Sequence, residues 1–518
     1  MITLEEQQIR EHLAVDEITF AIPAQSFAIS CAISAEEALP VVTEFALRIA
    51  YVCGTLSPRQ LQDFFGFSKK ESDAVLQSLL DERLLQWSEE HLELTSYALG
   101  RFQDSSDNLP RFFKIQDWSA EVVFDLISFS PAGRPTRLKR VRSQVELATR
   151  NFDKESRTLQ YAEQSFQQNF RQICTKEKAE IYKISAVDAG ERFSIPLPCT
   201  FHLDFDGQTS LRRDISDASF GNRLEIAEAI TDVLANKGRG NNERLREFIL
   251  TFDETLLPRY VTGEAFDLRR YVQEVHLTQI VRPADDRVVP VLGAMYLPRN
   301  AALLTEKIQA AMSVTDTEAN TSSAEATEIS TQHQTNTLAP ISNSAIWFAP
   351  QSMLWARTRS ARELAQKIDQ LLLSKEKNTS SGGMYVVVQA GRQSLREQHV
   401  YQDQFSRLLT TDIALMGGSL ELFIVPDTLI CAMFHFHVAH QAMAVPIGFI
   451  SSAPEHIAAA SALLFNSFGR RQDSFKVGRK EGEVVLKSDL ESLISQFSQH
   501  TANEIPHRRS ALFRDQQF

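Results

Sequence analysis

Cysteine is scarce: the five in the chain (Cys31, Cys53, Cys174, Cys199 and Cys431) include no CxxC pair. So odd and sparse a set excludes a disulfide framework or a zinc finger as the organising device and suits a reducing compartment. Long apolar runs are lacking too, since none reaches the roughly 18 residues that a membrane-spanning helix needs. The opening Met1-Ile2-Thr3-Leu4-Glu5-Glu6 has no basic stretch leading into an apolar core. These absences lead us to expect a soluble, cytoplasmic protein with no membrane partner.

Familiar catalytic motifs are also missing. None of the twelve histidines is followed two positions later by lysine, and no Asp or Glu is either. The first absence removes the HxK nucleophile pair of phospholipase-D-type enzymes, and the second the carboxylate-x-lysine motif of restriction-type nucleases. There is no GxxxxGK[ST] phosphate loop, no HExxH and no GxSxG. The expectation is a non-catalytic protein that calls for no cofactor.

What is present is a 518-residue chain, 43% hydrophobic, with a formal net charge of -12. Single cores rarely grow beyond about 250 to 300 residues, so several domains are expected. The negative total disfavours indiscriminate phosphate binding, and any nucleic-acid contact must come from a local basic patch. Residues 313–343, "SVTDTEANTSSAEATEISTQHQTNTLAPISN", lack Lys and Arg and are rich in Ser, Thr, Asn, Glu and Ala. Such a stretch buries little apolar surface and reads as a flexible, disordered linker. The resulting layout is multidomain α+β: residues 1–110, a mixed α/β middle domain at 111–312, the linker, and a C-terminal α/β mixed-sheet domain at 344–518.

Within the first domain, residues 1–30 read as a short helix and a strand. In the second, an apolar segment from Trp118 to Phe129 precedes a long polar helix from about Arg142 to Ile173, then strands over 181–212, helices over 221–280 and a closing strand-like "RVVPVLGAMYL". In the last domain, "SAIWFAP" and "MYVVVQA" read as strands alternating with helices at 360–375 and 394–410. Three strand-like runs and a helix from Pro454 to Phe468 follow, a pattern of an α/β layer on a mixed sheet.

Two helix starts stand close together in residues 57–95. Ser57, Pro58 and Gln60 form an N-cap with proline at the first helical position and a capping-box partner; Ser68 and Glu71 repeat the device. Gly66 ends the first helix. Val75, Leu76, Leu79, Leu80 and Leu84 recur at helical spacing, to pack on an earlier helix bearing Leu39, Val42, Phe45 and Ile49. "LLQW", the turn "SEEH" and "LELT" then read as a hairpin. Residues 35–102 therefore resemble a winged helix-turn-helix domain.

That resemblance implies a second helix lying in the DNA major groove, with Lys69, Lys70, Ser72, Asp73 and Gln77 toward the bases and Ser88 to His91 at the wing tip. The charges disagree. From residue 57 to 100 there are four basic residues (Arg59, Lys69, Lys70, Arg83) against eight acidic ones (Asp63, Glu71, Asp73, Asp81, Glu82, Glu89, Glu90, Glu93), a net of -4. Phosphates are repelled by such a surface, which suits protein docking equally well.

The densest basic run is "RPTRLKRVR", with Arg134, Arg137, Lys139, Arg140 and Arg142 inside a span free of acidic residues from Asp125 to Glu146. It reads either as a grip on phosphates or as a solvated helix face. A second basic region holds Arg470, Arg471, Lys476, Arg479 and Lys480 and reads as surface charge. "LDFDGQTSL" (203–211) resembles the first motif of haloacid dehalogenases, but Gln208 interrupts it, and a hairpin turning at Asp206-Gly207 explains the same letters. "FHFHVAH" sets His435 and His437 on one face of a strand with His440 beyond, either a metal site lacking a carboxylate in the sequence nearby or histidines lining a sheet.

The stretch 427–468 is similar to the closing part of the catalytically inactive phospholipase-D-like domains found behind winged helices in TrmB-type regulators, with Pro446, Gly448, Pro454, Phe465 and Phe468 at the matching places. The resemblance implies a sheet domain that binds effectors or partners without chemistry. Two functions follow. One is a DNA-associated regulator gripping double-stranded DNA through the winged helix and the Arg134 to Arg142 run. The other is a protein-docking scaffold subunit or homodimer in a bacterial multiprotein complex, such as a defence or genome-maintenance system.

Overall fold

The computed structural model describes residues 13–501 apart from 38, 104–108, 136, 138–141, 177, 205–209, 216, 235–240, 253–254, 264, 275–286, 326–343, 374–382, 391–393, 439–442, 470–473 and 477–480. The chain is a mixed α/β protein with two compact units. One comprises Ala24–Pro135 and Asn151–Phe193; the other comprises Met1–Pro23, Thr136–Arg150 and Ser194–Phe518. These units cut across the expected boundaries at 110 and 312, because two long strands, β1 (Ala14–Glu37) and a later one, each contribute residues to both. Among the described residues no helix is long and apolar enough to cross a membrane.

In the first unit, β1 leads to α1 (Val41–Cys53), α2 (Pro58–Phe65), α3 (Lys69–Asp81), a hairpin of β2 (Leu85–Ser88) and β3 (His91–Leu94), and α4 (Ser96–Gln103). Both capping boxes are formed: the Ser57 amide donates to Gln60 Oε1 at 2.8 Å and the Ser68 amide to Glu71 Oε2 at 2.8 Å. Gly66 ends α2 with φ 70°, a left-handed conformation that costs little without a Cβ. Leu61, Leu76, Leu79, Leu84, Leu85 and Leu92 fill the core between helices and hairpin. The first helix, however, buries Ala46, Leu47 and Ala50, while Phe45 is 39% exposed, so its inward face is turned away from the expected Val42 and Phe45.

The same unit pairs β1 antiparallel with β4 (Phe112–Asp125), from Ala24 opposite Asp125 to Glu37 opposite Phe112. Phe27, Ile29, Cys31, Ile33 and Ala35 alternate inward as the period of two requires. The short strand β5 (Val145–Glu146), a stretch expected to be helical, instead pairs parallel with β1 at Phe20 and Ala21, within the second unit. Helix then covers only α5 (Phe152–Ser156) and α6 (Thr158–Ile173), whose Phe166 and Phe170 pack on Trp118 with ring centroids 5.9 Å away. β6 (Glu180–Asp204) and β7 (Ser210–Ile215) pair antiparallel up to Asp204 opposite Ser210, as the hairpin reading of 203–211 requires; the turn residues lie outside the described residues.

The second unit holds α7 (Leu224–Val233), α8 (Asn242–Phe252), β8 (Val288–Leu292), α9 (Pro298–Glu325), β9 (Ser344–Phe348), α10 (Arg359–Leu373), β10 (Gly383–Gln389), α11 (Ser394–Tyr401), β11 (Leu408–Thr411), β12 (Leu420–Val425), β13 (Leu429–His437), β14 (Ala444–Ser451), α12 (Pro454–Leu464), β15 (Phe475–Lys476) and α13 (Glu481–Thr501). An eight-stranded sheet runs β8-β14-β13-β12-β9-β10-β11-β15. β9, β10 and β11 are mutually parallel, whereas β9 and β12 are antiparallel. Helices cover both faces: Leu304, Ile308, Leu364 and Ile368 lie on one, while Phe248 and Phe252 of α8 meet Phe434 and Phe449 at 5.7 and 5.9 Å. Strands buried on both sides lose their alternation and read as continuous apolar runs.

Three expectations need correction. α9 continues through Glu325, so the first part of the stretch read as linker is helical; it contains neither Gly nor Pro to stop a helix begun at Pro298. β8, expected to close the middle domain, is an edge strand of this sheet, Val288 opposite Ser451. The helix expected over 394–410 stops at Tyr401, and Leu408–Thr411 forms a parallel strand beside β10.

Gly448, opposite Met433 in the β13–β14 ladder, marks a close backbone approach. An added Cβ would stand 2.0 Å from the Ala432 carbonyl oxygen and 2.9 Å from Met433 Cα. Backbone on both sides leaves no flexible side chain to yield. Gly448→Ala is expected to lower stability by about 1 to 3 kcal/mol or more, read as a drop in the midpoint of urea unfolding.

Candidate functional site

Lys69 and Lys70 lie exposed in the first turn of α3. Gln77, also exposed, donates to Asp81 Oδ1 at 2.8 Å, and Ser72 is buried. The hairpin turn is Glu89-Glu90, with Glu89 at φ 55°, so the tip is exposed and acidic. Arg134 is exposed in the first unit; Arg137 and Arg142 are exposed in the second. Lys139 and Arg140 lie outside the described residues. The Arg142 Nη1 is 3.4 Å from His399 Nδ1, at the wall of a cavity.

That cavity, about 1100 Å³, lies wholly within the second unit. Its walls come from Pro350 to Trp355 just after β9, Gly418 before β12, His435 and His437 at the end of β13, and Met443 and Ala444 at the start of β14. β9 is the strand where the sheet reverses sense, with parallel β10 on one side and antiparallel β12 on the other. Crevices beyond the carboxyl ends of such strands are where open α/β sheets bind ligands.

Beneath the cavity lies a buried polar network. Glu421, in an otherwise apolar strand, is fully buried. Its Oε1 accepts from the indoles of Trp347 at 3.0 Å and Trp355 at 2.8 Å, and its Oε2 lies 2.7 Å from His435 Nε2. Glu421 opposes Met433, so His435 two residues on is its diagonal neighbour on the same face. Asn241 pins the strand end, donating to the His435 carbonyl at 2.8 Å and accepting from the His437 amide at 3.1 Å. His437 Nδ1 has no hydrogen-bond partner, and burial, with His435 nearby, pushes its pKa down. Among the described residues no cluster of three or more His, Cys, Asp or Glu is arranged to hold a metal; His440 lies outside them.

Asp16 of β1 reaches the same cavity. Its Oδ1 accepts from the Tyr296 hydroxyl at 2.6 Å and from the Glu17 amide at 2.8 Å. Burial raises its pKa to about 7, more than these hydrogen bonds lower it. Tyr296 in turn accepts from the Ala356 amide at 3.2 Å, and burial together with Asp16 raises its own pKa well above normal. The sequence reading missed Asp16, Tyr296 and Glu421. The one available signal was an acid standing alone in an apolar run, "SLELFIV". Comparison with protein-family models, curated proteins and solved structures finds no match for this chain.

Removing the Glu421 carboxyl strands two buried indole N–H groups and an imidazole. Glu421→Ala is therefore expected to cost about 3 to 5 kcal/mol, and Glu421→Gln less, in chemical denaturation. Asp16 sets a pH slope. Folded, it keeps its proton to about pH 7, whereas an unfolded aspartate loses it near its ordinary value of 3.8. Between those values the folded chain binds the extra proton, so stability falls as pH rises, by up to about 1.4 kcal/mol per pH unit. Asp16→Asn should flatten that slope in unfolding curves recorded from pH 4.5 to 8.

Proposed function

We propose that this chain is a non-catalytic regulatory subunit whose residues 41–103 act as a winged helix contacting a protein partner with a basic, apolar-centred surface. The observation that carries this reading is the exposed face of α3 and the hairpin. Glu71, Asp73, Asp81, Glu82, Glu89 and Glu90 are exposed there against Lys69, Lys70 and Arg83. Phe64 at 59% and Trp87 at 54% exposure add apolar area to the same module. Such a surface repels phosphates and offers aromatic anchors of the kind that dominate protein interfaces. The second unit is read as a phospholipase-D-like domain lacking catalytic residues; the strand pair β13–β14 followed by α12 at Pro454 supports this.

A second reading, contact with double-stranded DNA, is favoured by the exposed Lys69 and Lys70 in the first turn of α3, the turn that reads bases in winged helices, and by exposed Arg134 and Arg137. One titration separates the two. Purified chain mixed with duplex and with single-stranded DNA at two salt concentrations is expected to give no mobility shift. A shift that fades with salt, and weakens in Lys69→Glu/Lys70→Glu or in Arg137→Glu/Lys139→Glu/Arg140→Glu, would overturn the protein-contact reading in favour of DNA.

A further inference from the structure

We propose that the cavity at the carboxyl end of β9 binds a small organic anion, a carboxylate or phosphate ester, that also carries a hydrogen-bond donor such as a hydroxyl. This holds whatever the N-terminal module contacts. Two arginines from distant segments line the cavity, Arg142 from the run before β5 and Arg357 from the loop after β9. Arg357 is anchored there by its Nη2 donating to the Gln144 carbonyl at 2.9 Å, two residues along from Arg142. Among the described residues Arg142 has no carboxylate partner; its guanidinium meets the His399 ring, itself 3.3 Å from Gln402 Oε1. Two guanidinium groups lining one cavity suit an anionic head, and they bind it best where the cavity limits solvent.

Two further wall atoms lack a partner. Gln144 Oε1 and His437 Nδ1 are buried and make no hydrogen bond. A buried polar atom left unpaired costs about 1 to 3 kcal/mol, so both atoms call for a polar occupant. Gln144 Oε1 is an acceptor only, and its complement is a donor on the ligand. The acids in the wall are Glu146 and Asp16, which holds the Tyr296 hydroxyl. Met353, Leu354, Val400 and Met443 add apolar wall that suits a hydrocarbon or ring. Convergent polar groups within an apolar cavity of this size are the usual make-up of a small-molecule site.

The experiment is isothermal titration calorimetry of the full chain with inorganic phosphate, AMP and salicylate, and with adenosine as the uncharged control. AMP or salicylate is expected to bind with Kd below about 1 mM and adenosine at least about tenfold more weakly. Preference for AMP identifies a phosphate ester and preference for salicylate a carboxylate. Arg142→Gln, an exposed side chain whose loss spares the core, should weaken binding about tenfold, and His437→Phe several-fold, with unfolding curves confirming that each variant folds. The proposal is overturned by no heat from any anion at about 10 mM, by adenosine binding as tightly as AMP, or by affinity unchanged in Arg142→Gln.

Discussion

One buried carboxyl organises the second unit. Glu421 in β12 accepts hydrogen bonds from Trp347 in β9 and Trp355 beyond it, and contacts His435 in β13. Three segments are thereby held at one point beneath the cavity. A charged or strongly polar group in such surroundings persists only when each of its lone pairs is used, and a half-satisfied version would be worse than an apolar core. The same demand fixes the loop after β9: Tyr401 donates to the Trp355 carbonyl at 2.8 Å and Gln404 to the Ala356 carbonyl at 2.7 Å. The cavity wall is therefore built from rigidly bonded backbone.

A second buried couple, Asp16 with Tyr296, extends this network to β1 and to the segment entering α9. Asn300 closes that segment by donating to the carbonyls of Leu292, Gly293 and Ala294. Residues from the start, middle and end of the chain thus share one polar core. That sharing explains why the compact units interleave in sequence: β1 and β6 each run through both, and β8 joins strands more than 150 positions later.

The charge pattern tells a parallel story. Within the basic run, Arg142 stands at a cavity wall beside His399, and Arg134 belongs to the other unit. The acidic turn Glu89-Glu90, by contrast, stands exposed as its place in the hairpin requires.

Local rules made the helix starts and the hairpin of residues 57–95 legible, because capping boxes, a helix-ending glycine and a two-residue turn are settled by neighbours within four positions. The strands β9 and β10 and the closing strand-strand-helix were legible as well, from apolar runs and their punctuation. Less visible were β5 and β11, whose short apolar segments are strands only because a partner strand lies beside them, and the partner of β8. The site was least visible of all. His435 stood out in sequence, but its partner Glu421 is 14 positions away, and Asp16 meets Tyr296 across 280 positions; these hydrogen bonds exist only once the sheet has formed. Sequence by itself determined the local helices, turns and burial of the strands, since those follow from spacing and caps; tertiary structure alone decided which acids meet which histidine and where Arg142 points, because a buried charge's partner is chosen by desolvation across the assembled sheet.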